Sequence, residues 1–284
     1  MKWSISFCLF CFFALSFHSK GLSLTDDLGR LIDVDEPPKT IVSLSPHLTE
    51  LLFDLGVGHR VVGTVSFSDY PNSAKSIPRI GDASALNLER IIQMEPDLVI
   101  AWLSGGSFQS VELLIGLGLK VYVNEISTPR DIASSAEKLG ALVGQKKRGL
   151  ELSYKFSEKI IRIQESRIEI RAPSVFFQLG EADLFTFSRG HFLGKAIEIC
   201  GAKNVFSDAP KRVPQVSFEA VLKKNPDFII FSGKSSDTLT PSRKKWQEIG
   251  WSHKFRFVDT NELFLPSLRF VIGLEKLCSA IHEP

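Results

Sequence analysis

A unit that occurs twice limits this chain more than any other feature. Residues 87–101 read NLERIIQMEPDLVIA, and residues 217–231 read SFEAVLKKNPDFIIF. Asn87 and Ser217 are helix N-cap types, and Glu89 and Glu219 fall in the first turn, where a carboxylate complements the helix dipole. Pro96-Asp97 and Pro226-Asp227 then stop the helix ahead of an apolar run. Each copy therefore reads as a capped helix, a proline stop and a buried strand. One copy per half of the chain predicts two similar α/β lobes rather than one continuous sheet.

The remaining pattern agrees. Short β-rich runs lie at residues 41–44, 61–65, 98–102 and 120–123 in the first half, and at 175–178, 228–231 and 255–258 in the second. Continuous apolar strands separated by amphipathic segments argue for parallel sheets covered on both faces. Residues 145–170 carry apolar side chains at helical spacing among Lys, Arg and Glu, and no Pro appears before Pro173. The fold predicted is α/β: two Rossmann-like lobes joined by one long backbone helix, with a cleft between them. The first lobe takes about residues 40–130, the linking helix about 145–170, and the second lobe about 172–284.

The start of the chain sets the compartment. Lys2 precedes an uncharged apolar run over residues 5–17, which suits the core of a secretory signal but is shorter than the ~20 residues of a membrane-spanning helix. Small residues at Ser16 and Ser19 place cleavage near them, so residues 1–19 are read as a signal peptide. Cys8 and Cys11 lie inside the run rather than after it, which argues against a lipid anchor. The product expected is a soluble, exported monomer. The full chain's formal charge of +2, which falls to +1 when Lys2 leaves with the signal, is unclustered, which excludes the basic footprint that nucleic acid requires. Cys200 and Cys278 remain after cleavage; in an exported chain they read as a disulfide or as two buried thiols, and their spacing fits no zinc pattern.

Five motifs in order, SDYP (68–71), NLERI (87–91), PDLVIAW (96–102), ICGA (199–202) and RVPQVS (212–217), resemble the helical-backbone periplasmic binding proteins. This is the family that carries iron-siderophore, haem and vitamin B12 complexes for ABC importers, and the likeness is nearest to its B12-binding members. It runs from about residue 40 to 281. The resemblance implies a periplasmic carrier that takes a corrinoid between its lobes and delivers it to a permease dimer served by a cytoplasmic ATPase. It implies a Cys200–Cys278 disulfide, ligand contacts at Tyr70 and Trp102, and transporter docking through Glu89 and Glu219. Other family positions differ: GDASAL (81–86) lacks the aromatic before NLERI, KRVPQVS (211–217) lacks a tryptophan, and an acidic loop residue aligns with Asn261. Phe185, Phe187, Phe264 and Arg212 are the substitutes available as walls and donors for a wide, partly apolar ring.

No resident cofactor or metal is expected; the cobalt belongs to the cargo. A haem or ferric chelate is the alternative cargo, and haem needs an axial ligand. His191 in TFSRGHFLG (186–194) and His47 in LSPHLTE (44–50) are the candidates, with helix capping as the competing role of each. An α/β enzyme would show a nucleophile elbow, a phosphate loop or a metal cluster. LSGGSF (103–108) fits neither glycine pattern, so a carrier is favoured over an enzyme and over a ligand sensor.

Overall fold

The computed structural model describes residues 22–82, 84–106, 108–167, 172–181, 183–233 and 240–282. The signal-peptide reading over 1–19, the last residues of the linking-helix reading and residues 283–284 lie outside them. The chain enters as an antiparallel hairpin, β1 (Leu22–Thr25) and β2 (Leu31–Val34). The first lobe follows as β3 (Ile41–Ser43), α1 (Pro46–Asp54), β4 (Val61–Thr64), α2 (Leu88–Gln93), β5 (Leu98–Trp102), α3 (Phe108–Gly116) and β6 (Val121–Asn124). Two helices come next, α4 (Pro129–Leu142) and α5 (Lys146–Glu165). The second lobe contains β7 (Ser174–Gln178), β8 (Leu184–Phe185), α6 (Phe192–Ile199), β9 (Lys203–Asn204), β10 (Gln215–Val216), α7 (Phe218–Lys224), β11 (Phe228–Ser232), α8 (Pro241–Glu248), β12 (Phe255–Val258) and α9 (Phe270–His282).

The two main sheets are parallel and share one topology. The first runs β4-β3-β5-β6, and the second, read from its other edge, runs β9-β7-β11-β12. In each the lobe's first strand stands second and the repeated unit supplies the third. Alternation along the strands fills both faces, as buried parallel strands require. Ile41, Leu98 and Ile100 pack into one core of the first lobe, while Val42, Val99 and Ala101 pack into the other. In the second lobe Val175, Phe177 and Ile230 face one core, and Phe176, Ile229 and Phe231 face the other.

The repeat is exact in its local chemistry. Asn87 Oδ1 accepts from Arg90 N at 2.9 Å, and Ser217 Oγ accepts from Ala220 N at 3.1 Å, so both helices are capped as read. The aspartate after each proline ties down the start of the neighbouring strand. Asp97 Oδ2 accepts from Lys39 N and Thr40 N, and Thr40 Oγ1 accepts from Asp97 N. Asp227 Oδ2 accepts from Ser174 N and Ser174 Oγ, and Ser174 Oγ accepts from Asp227 N. Each pair satisfies backbone donors that the parallel ladder leaves open at its entrance.

The linking helix read at about 145–170 is α5, and α4 packs antiparallel beside it, so the bridge between lobes is a helical hairpin. Ile132 and Ala133 of α4 pack with the second lobe, while Ala136, Leu139 and Leu142 pack with the first. Antiparallel α5 does the reverse, with Leu152 on the first core and Phe156, Ile160 and Ile163 on the second. Glycines allow the close approach: a Cβ on Gly140 would stand 2.8 Å from Gly149 Cα, and one on Gly149 would collide with the Ala136 carbonyl. A disulfide joins Cys200, at the end of α6, to Cys278 in α9; both are fully buried. His282 Nε2 lies 2.5 Å from the Cys200 carbonyl oxygen beside it.

Candidate functional site

Both sheets carry a topological switch point where the first strand meets the third, and in open α/β sheets ligands bind beyond the carboxyl ends of the strands at that point. The loops at those ends meet across the two lobes. Arg212, on the loop after β9, reaches the first lobe: Nη1 donates to Ser104 Oγ at 2.7 Å and Glu125 Oε1 at 2.5 Å, and Nη2 donates to Ser127 Oγ. Arg269, just ahead of α9, makes a second crossing. Its Nε and Nη2 donate to the two carboxylate oxygens of Glu50 in α1, at 3.1 and 2.5 Å, and its guanidinium carbon stacks 3.8 Å from the Tyr70 ring centroid. The space between the two clasps is the candidate site.

Its first-lobe wall is built at the ends of β3 and β5. Ser45 and Pro46 turn the chain from β3 into α1, with Pro at the first helical position, and set His47 beneath the wall. His47 is 1% exposed. Its Nδ1 meets Ser45 Oγ at 2.7 Å, and its ring meets Trp102 edge-on with centroids 4.9 Å apart. Burial pushes its pKa down to about 3, so the ring is neutral at pH 7. Neither His47 Nε2 nor Trp102 Nε1 has a hydrogen-bond partner among the described residues. The Gly105 backbone lies against the six-membered ring of Trp102, where a Cβ would overlap it. Below, Thr49 Oγ1 links Ser43 Oγ and Thr64 Oγ1 at 2.9 and 2.7 Å, forming a buried hydroxyl chain.

Aromatic rings form the second-lobe wall. Phe264, partly exposed, lies 6.2 Å from Phe187 and 6.0 Å from Phe177 between centroids. His191 stacks on Phe187 at 4.6 Å, and its Nδ1 accepts from Leu193 N at 3.2 Å as the cap of α6. Burial first, and then the Arg212 charge, push its pKa down to about 4. Phe185 is half-buried in the strand pair β8–β10. Asn261 is exposed in the loop after β12, with its backbone N–H on Asp259 Oδ1 at 3.3 Å. Both histidines serve local structure, and no group of three or more metal-ligating side chains occurs among the described residues. A separate cavity of about 460 Å³ lies beside β8, β10 and α8, but its carboxylates are engaged: Glu181 accepts from Ser242 Oγ at 2.6 Å, and Asp183 accepts from Gln215 Nε2 at 3.2 Å.

Of the residues singled out from sequence, Tyr70 and Arg212 join the two clasps, Trp102 ends β5 against the first-lobe core, Phe264 packs on Phe177 and Phe187 in the second lobe, Phe185 lies in β8, and Asn261 is on the loop after β12. Glu89 and Glu219 are exposed, one on each lobe, at the starts of α2 and α7. Sequence reasoning missed Glu50, Ser104, Glu125, Ser127 and Arg269, whose partners are distant along the chain. It also missed Phe67, which is 83% exposed just after β4 and holds φ +66°. An aromatic side chain in the left-handed region carries local strain, which native folds concentrate at functional positions. Its signal was an aromatic set between Ser66 and Ser68 directly behind a strand.

Comparison with known proteins follows the same line. Residues 41–248 match the family described as periplasmic binding protein. A vitamin B12-binding protein of Pectobacterium atrosepticum is 31% identical over 253 residues, 87% of this chain and 89% of that protein. The crystal structure of the periplasmic vitamin B12-binding protein of Vibrio cholerae superposes with a TM-score of 0.77 at 27% identity, covering 86% of this chain and 97% of that one. A possible iron-binding periplasmic protein of Staphylococcus epidermidis gives 0.75 at 28% identity, covering 87% and 100%.

Proposed function

This chain belongs to the periplasmic binding protein family, and we propose that it is the substrate-binding protein of an ABC importer that captures cobalamin or a related corrinoid. The likeness to vitamin B12-binding proteins over most of the chain carries this reading. The ligand lies between the walls of Trp102, Phe67, Phe185 and Phe264, with Tyr70, Arg212 and Asn261 at its edge. Wide apolar faces suit a corrin ring, and the polar groups suit its amide fringe. The work is capture and release rather than catalysis: the lobes hold the cargo in the periplasm and pass it unchanged to a permease dimer, which Glu89 and Glu219 meet. No helix among the described residues is long and apolar enough to cross a membrane.

Titration calorimetry of the mature protein with cyanocobalamin, with hemin in parallel, tests the reading. One corrinoid per chain is expected, with visible corrinoid bands after gel filtration. Trp102→Ala forfeits an aromatic wall worth about 1.5–3 kcal/mol, a loss of roughly tenfold to hundredfold in affinity. Hemin binding with no corrinoid binding would replace the corrinoid by haem as cargo.

A further inference from the structure

The two clasps differ in what each leaves behind when it opens. Glu50 is 3% exposed and both its oxygens go to Arg269, so opening that pair would strand a buried carboxylate. Glu125 is differently placed. Ser104 N donates to its Oε2 at 3.0 Å, Ser104 Oγ donates to its Oε1 at 2.6 Å, and its side chain keeps 15% exposure. These donors, with Ser127 Oγ at 3.4 Å, keep the carboxylate hydrogen-bonded after the arginine leaves. Arg212 is 43% exposed, and its backbone carbonyl accepts from Ser188 N at 2.9 Å, which sets the side chain beside the segment that carries His191 and Phe187. One arginine therefore has a permanent partner, and the other has a partner built to be given up.

We propose that Glu125, seated on Ser104 and Ser127, is an internal competitor for the ligand: it holds Arg212 in the closed clasp, and a cargo bearing an anionic group takes the guanidinium from it. A guanidinium pairs bidentately with phosphate as well as with carboxylate, so the exchange replaces one charge-assisted pair by another. A cargo without an anion leaves the Arg212–Glu125 pair closed and gains nothing from Arg212. The pair therefore lowers the affinity only of a cargo that takes the arginine, and it narrows the preference that Arg212 would otherwise give to complete cobalamin, which carries a phosphodiester, over cobinamide, which lacks it. This rests on the corrinoid reading above.

The test is calorimetry of the mature protein with cyanocobalamin and with dicyanocobinamide, for the wild type, Glu125→Gln and Ser127→Ala. Removing the competing charge at a partly exposed pair should tighten cyanocobalamin by about threefold to tenfold, and the cobalamin-to-cobinamide affinity ratio should rise with it. Ser127→Ala, which keeps the charge and loosens the clasp, should move the ratio the same way by less. Added salt should shrink the difference between wild type and Glu125→Gln. Binding of both corrinoids with a ratio that Glu125→Gln leaves unmoved or lowers overturns the competition alone. A wild type that binds neither corrinoid overturns the functional reading and the competition with it.

Discussion

At the scale of single residues, the buried histidine behind the first-lobe wall sets a pH dependence. The folded pKa of His47, about 3, lies below the ordinary 6.5, so the unfolded chain binds the extra proton in between. Its contribution to stability is complete above about pH 6.5 and falls as pH drops from there toward 3. From pH 6.5 to pH 5 the loss is about 2 kcal/mol. His191, at about 4, acts in the same direction. Asp54 opposes them: burial, then Glu50, push its carboxyl up to about 6, which favours the folded state below that pH and is lost as pH rises through it. Subtracting His47→Gln from wild type removes the terms the two proteins share. Urea midpoints should then show wild type losing about 2 kcal/mol more than His47→Gln between pH 6.5 and 5. Parallel curves would mean that His47 is not buried neutral in solution.

Elements show which parts of the fold were legible. The repeat was readable because everything that makes it is local: an N-cap, a first-turn acid, a proline and an apolar run. The Pro-Asp pair carries more than a helix stop, since its carboxylate pins Thr40 in one lobe and Ser174 in the other, and that partner could not be read from the motif. Strands β8, β9 and β10 were missed because two-residue pairings carry no periodicity. The role of α4 was missed for another reason: its apolar stripe belongs to one core at one end and to the other core at the other, and the stripe alone does not reveal the change. Gly149 tests the helical pairing. Helix propensity alone makes Val there stabilising by roughly 0.3–0.5 kcal/mol. Contact with Ala136 and Gly140 reverses the sign, and Gly149→Val should cost about 1–3 kcal/mol through overpacking. A raised melting temperature would show that α4 and α5 are farther apart in solution.

On the scale of the whole molecule, two copies of one topology face each other across a cleft, and the residues that close it come from distant parts of the chain. That is why the lobes were legible and the clasps were not: Arg212 meets Glu125, and Arg269 meets Glu50, only after both sheets and the helical hairpin have set their loops opposite one another. The same pseudo-symmetry gives the last prediction. Glu89 and Glu219 stand at equivalent places, each exposed and each at the second position of a capped helix. Glu219 is held below the usual carboxylate range by its own backbone N–H and the Ser217 hydroxyl, and Lys245 adds to this, so it is charged at pH 7. Local electrostatics would explain one such glutamate, because any acid there complements the helix dipole. A matched pair, one per lobe, also fits a partner with two equivalent halves and a cation on each. Charge reversal separates the two roles. If only the helices are served, Glu89→Lys and Glu219→Lys lower the melting temperature slightly, and membranes bearing the transporter retain the protein as before. If both glutamates dock, each reversal leaves corrinoid affinity within about twofold and weakens transporter binding by roughly tenfold, more at low salt than at high. The double reversal should then abolish uptake while the purified protein still binds cyanocobalamin, and normal uptake by that variant would return both residues to a capping role alone.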